Sequence, residues 1–193
     1  MEPGSILYRT ATFTSSPTSP TATVVPGKVE LANSRGFTGW YKYTHPNYGF
    51  AFYIPPDWTI VDESAHHIGV SPAWRPTVIL NIGFKNAREG RVVIMRTGIG
   101  AGDVVTQGTV RFLGQLFTRD ILVYEGKDKA VLYNNAMETQ IDDLVFTLSL
   151  DDFRTDYDAA ILPANVQHTA DKIVESFELV HPFVELWPIR CFF

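Results

Sequence analysis

The chain has 193 residues, of which 45% are hydrophobic, 13% aromatic and 19% charged, with a net charge of −5. That length is one domain with room for a tail, and the composition is that of a globular protein. The acidic balance and the absence of a Lys/Arg stripe exclude non-specific nucleic-acid binding, which needs basic clusters against phosphate.

Residues 14–26 read Thr14-Ser-Ser-Pro-Thr-Ser-Pro-Thr-Ala-Thr-Val-Val-Pro26. Such a tract has too little apolar surface to offset the entropy of ordering. With Gly27 and Gly36 loosening the chain further, residues 1–36 read as a disordered tether. A single domain then spans 37–182, and 183–193 form a C-terminal tail. From Trp40 the pattern becomes strand-like. Tyr48, Phe50, Phe52 and Ile54 alternate, the turn His45-Pro46-Asn47 precedes them, and Pro55-Pro56 stops the run before Trp58. Trp58 is expected in the core against the closing helix, near Ile173 or Phe177.

Val78–Phe84 reads as a β-branched strand, with Arg91–Arg96 as its hairpin partner. Between Asp103 and Phe117 the spacing of Val110, Leu113 and Phe117 predicts a helix, weakened by Gly108 and Gly114. Ile121–Tyr124 and Lys129–Tyr133 form a hairpin, and Leu144–Leu150 is the next strand. Val166, Ala170, Ile173, Val174 and Phe177 mark one face of a helix that begins after Pro163. The fold class is therefore α+β, a mainly antiparallel sheet flanked by two helices.

Tyr48-Gly-Phe-Ala-Phe-Tyr-Ile-Pro-Pro-Asp-Trp58 resembles the opening of PsbP-like and Mog1-like α/β/α domains and of related small bacterial lipoproteins. Ala170-Asp-Lys-Ile-Val-Glu-Ser-Phe177 resembles their closing helix and its Ser-Phe ending. The resemblance implies a PsbP/Mog1-like sandwich, and the Thr/Ser/Pro tract resembles the spacer behind a lipid-modified cysteine, although no lipobox is present. It implies no activity, since that fold carries unrelated roles.

The residues supply few candidates for chemistry. Thr97–Asp103 has glycines spaced G-x-G-x-G, which is neither a dinucleotide fingerprint nor a P-loop, and reads as a turn capped by Asp103. His66 and His67 lie beside Asp62 and Glu63, but neighbours on a strand point to opposite faces. They are binding candidates rather than a metal pair. The run 151–158 offers Asp152, Asp156 and Asp158 as weak Ca²⁺-type ligands without EF-hand spacing. His168 and Asp171 are ordinary helix neighbours, and the lone Cys191 forms no disulfide within the chain. Trp74 and Arg75, in the loop Ser71-Pro-Ala-Trp-Arg-Pro76, are the residue types most enriched at binding hot spots.

The expectation is a non-catalytic binding or accessory domain displayed on its tether, without cofactor, meeting a protein or a small ligand. No apolar run reaches the ~18 residues of a membrane span. Display outside the cytoplasm, with a lipid anchor if the true N-terminus is missing, is the reading of location. The alternatives are a small metal-dependent hydrolase using 151–158 and a cytosolic protein-interaction domain.

Overall fold

A computed structural model describes residues 27–33, 36–89, 102–153 and 161–180. Two antiparallel sheets carry the architecture. The first contains β1 (Lys28–Leu31), β2 (Tyr41–Thr44), β3 (Phe50–Ile54) and the short β12 (Glu178–Leu179), in that spatial order. The second runs β4 (Trp58–Ser64), β5 (His67–Pro72), β6 (Val78–Asn86), β11 (Leu144–Asp152), β9 (Lys127–Tyr133), β8 (Gln115–Tyr124) and β7 (Asp103–Phe112). A short 3₁₀ turn follows β9, and β10 (Thr139–Ile141) then pairs with β11. One helix, α1 (Ala164–Glu175), packs against β3 and β7.

The inner faces of the sheets meet in one core. Period-two alternation brings Phe50 and Phe52 of β3 inward, while β6 supplies Leu80, Ile82 and Phe84 and β11 supplies Phe146, Leu148 and Leu150. Phe50 meets Phe84 at 5.0 Å and Phe146 at 5.5 Å between ring centroids, edge to face, so the contact crosses from sheet to sheet. Helix α1 adds Val166, Ala170, Ile173 and Val174 to the same core, as its spacing predicts. Trp58 is buried in that core.

One expectation is corrected. Only one α-helix is present among the described residues, so the sheet is not flanked by two. The stretch expected as the other helix is the β7–β8 hairpin, joined at Leu113 (φ 46°) and Gly114 (φ 83°). Positive φ at both central residues is the two-residue turn that matches strand twist, and the β-branched Val104, Val105, Thr106, Thr109 and Val110 suit a pleat better than a helix. The segment Arg91–Arg96, expected as a strand, lies outside the described residues. The strand expected to pair with it, β6, has β5 on one side and β11 on the other.

Among the described residues, those from Gly27 to Leu31 lie against the first sheet. The Gly27 N–H donates to the Glu63 carboxylate at 2.8 Å, and a Cβ there would sit 2.0 Å from the Tyr43 ring. This glycine permits close approach, where the sequence suggested looseness. Residues 28–31 then pair in register with β2.

Candidate functional site

The turn after β5 is built by backbone hydrogen bonds before any side chain acts. Ala73 N–H donates to Asp57 O at 2.8 Å, Arg75 N–H to Pro72 O at 3.0 Å, and Val78 N–H to Arg75 O at 3.1 Å. Ser71, fully buried, donates its hydroxyl to the carbonyls of Pro72 and Arg75. The chain is thus fixed on both sides of Trp74, whose side chain stands in solvent at 57% exposure.

Arg75 turns the other way. Its Nη2 donates to Asp152 Oδ2 at 2.6 Å and to the Ile161 carbonyl at 2.8 Å. The Arg75 side chain is 13% exposed and that of Asp152 is fully buried. One guanidinium therefore ties the β5–β6 turn to the end of β11 and to the approach to α1. Phe153 and Ile161, next to these anchor points, are exposed. Three exposed apolar residues, Trp74, Phe153 and Ile161, thus stand at or next in sequence to the groups that this charge pair ties together, and Arg75 acts as a strut.

His66 and His67 do not converge. His66 lies in the turn between β4 and β5, with its Nδ1 3.1 Å from the Tyr48 hydroxyl. That hydroxyl donates to Glu89 Oε2 at 3.2 Å. Burial, helped by the Glu89 charge, pushes Tyr48 up to about 12, so it is a neutral phenol at physiological pH. His67 begins β5 and reaches the opposite face, 3.0 Å from Asp62 Oδ2 and 3.2 Å from Asn81 Oδ1. Asn81 and Ser149 both donate to Asp151 Oδ2, so this face carries a polar ladder across β4, β5, β6 and β11.

Asp152, a metal candidate in the sequence, is engaged by Arg75, and Asp156 and Asp158 lie outside the described residues. Among the described residues no group of three or more His, Cys, Asp or Glu could hold a metal ion. No described helix is long and apolar enough to cross a membrane. Asp171 does not serve as a helix-surface partner of His168. It accepts from Arg119 Nε at 2.9 Å and from the Tyr133 hydroxyl at 2.9 Å, which docks α1 on β8 and β9.

Sequence reasoning missed the buried His45, whose ring lies among Tyr43, Tyr48, Phe50 and Phe84. Its signal was present as an imidazole in an aromatic-rich turn, but nothing in the pattern showed that the turn would be buried.

No protein-family model matches this chain, and no curated protein matches it in sequence. Among solved structures, it is similar to the solution structure of cyanobacterial PsbP from Synechocystis sp. PCC 6803. The match has 13% identity and a TM-score of 0.44, and covers 77% of this chain and 98% of that one.

Proposed function

We propose that this is a non-catalytic binding domain whose contact surface is the turn bearing Trp74, together with the exposed Phe153 and Ile161. The observation that carries the reading is a tryptophan 57% exposed on a turn whose backbone is pinned on both sides. A large aromatic on a preorganised loop loses little entropy when a partner covers it. The groups that could have suggested chemistry are engaged within the domain: Asp152 with Arg75, and His67 with Asp62 and Asn81. In this reading the Thr/Ser/Pro-rich N-terminal segment is the tether and 183–193 the tail. Display outside the cytoplasm belongs to the same reading, supported by the Thr/Ser/Pro composition of 14–26, and fractionation of the source cells checks it.

Two measurements test the contact surface. Trp74→Ala should change stability by no more than ~0.5 kcal/mol, as exposed positions do, while Trp58→Ala should cost ~3–5 kcal/mol, as core aromatics do. A photo-crosslinking residue at position 74 should then give a discrete adduct in the source cells, competed by unmodified protein, that the same residue at exposed Gln140 does not give. Absence of an adduct, or the same adduct from both positions, overturns the proposal.

A further inference from the structure

The β2–β3 turn closes around His45. The His45 N–H donates to Phe50 O at 2.9 Å, and the imidazole is 5% exposed. Its ring centroid lies 4.8 Å from Phe84, 5.0 Å from Tyr48, 5.1 Å from Phe50 and 6.3 Å from Tyr43. The Nδ1 atom faces two backbone donors, Asn47 N at 3.2 Å and Tyr48 N at 3.3 Å. Both carry hydrogens, so Nδ1 accepts and the neutral ring holds its proton on Nε2. An Asn or Asp side chain makes the same two bonds in an Asx turn.

A proton on Nδ1 reverses this arrangement. The acceptor becomes a donor pointed at two donors, both amides lose their partner, and a cation lies in an apolar box. We propose that the β2–β3 turn is an acid-operated latch: protonation of His45 opens it and withdraws Tyr48 from His66 and Glu89. The second half of that statement rests on position. Tyr48 is the residue of the first sheet's turn that bonds side chains of the second sheet's loops, at the β4–β5 turn and just after β6. The neighbouring Gly49 carbonyl accepts from Val180 N–H at 2.8 Å, so opening also loosens the end of β12.

The groups facing His45 decide the sign. Burial lowers its proton affinity, and the Glu63 carboxylate on β4 opposes that less strongly. Glu63 is itself bonded to the Gly27 amide and the Tyr43 hydroxyl. Tyr43 on β2 and Tyr48 in the turn are both pushed upward by burial and stay uncharged, while Phe50 on β3 and Phe84 on β6 bring no charge. His66 and Glu89 touch Tyr48 from outside the box. A histidine whose proton affinity is lower closed than open stabilises the closed turn fully above the ordinary value of about 6.5, and loses that stabilisation as pH falls below it.

Hydrogen exchange in the full chain, corrected for intrinsic rates, tests the latch. Between pH 7.5 and pH 5 the protection of the Asn47 and Tyr48 amides should fall by up to ~30-fold, the factor a fully open, ordinary histidine allows. Amides in β11 should keep theirs. His45→Asn should retain protection and lose the pH dependence, because its side chain accepts the same bonds and does not titrate. His66→Gln should leave the dependence in place. Unchanged protection in the wild type, a surviving dependence in His45→Asn, or its loss in His66→Gln overturns the proposal. Ring ¹⁵N shifts of the wild type give a readout independent of any variant. They must show His45 taking up its proton in step with amide exposure, and a ring still neutral when the amides exchange refutes the latch.

Discussion

At the scale of the residue, two neighbours in sequence have opposite fates. Trp74 and Arg75 are the residue types expected at a contact surface, yet only Trp74 reaches solvent, while Arg75 folds under the turn to Asp152. A buried charge pair is costly to break from one side, because the remaining charge has no partner. Arg75→Ala or Asp152→Asn should each destabilise the domain by ~3–5 kcal/mol in urea denaturation. The double variant Arg75→Met/Asp152→Leu should recover most of that loss, since it removes both charges. If the single variants unfold at the wild-type midpoint, the pair is not what holds the turn. The sequence held the charges but not their pairing, which joins residues 77 apart.

Among the elements, legibility followed the turns. The β8–β9 hairpin was readable because the polar turn Glu125-Gly-Lys-Asp128 sits between two continuous apolar runs, Ile121–Tyr124 and Ala130–Tyr133. The β7–β8 hairpin was not, because Leu113-Gly114 lacks the Asn-Gly or Asp-Gly signature, and the apolar residues at 110, 113 and 117 also fit a helical period. Helix α1 was readable, because five apolar positions and a leading proline agreed with one another. Its docking through Asp171 to Arg119 and Tyr133 was not, since those partners come from distant strands. The shared turn geometry gives a test. Glu125 holds φ 50°, a region costly to residues other than Gly, Asn and Asp, and its side chain is exposed. Glu125→Asn should stabilise the domain by ~0.5–1 kcal/mol, and Gly126→Ala, at φ 70°, should destabilise it by ~1 kcal/mol. A Glu125→Asn variant that melts at or below the wild type would contradict the turn assignment.

For the whole molecule, the segment closing the domain joins the two sheets, and the Ser176-Phe177 pair shows how. Phe177 stacks on Phe52 of the first sheet at 4.7 Å and meets Phe112 of the second at 4.9 Å. Ser176 accepts the Tyr53 N–H at 2.9 Å and donates to the Ile173 carbonyl at 2.6 Å. Beyond the two residues that β12 pairs with β3, this hydroxyl takes the place of a strand partner. The segment from Ser176 to Leu179 is therefore bound to β3 and packed on the second sheet, and the sheets should unfold as one cooperative unit. Ser176→Ala strands a buried amide and should cost ~1–3 kcal/mol. Phe177→Ala removes the shared ring and should cost ~3–5 kcal/mol, with Phe177→Leu losing less because much of the volume remains. Ile161→Ala, at an exposed side chain just before α1, should stay within ~0.5 kcal/mol of the wild type. In guanidinium, Ser176→Ala should shift the midpoint with an unchanged slope and one transition. Two separated transitions, one for each sheet, would show that the sheets fold independently and that Phe177 does not couple them.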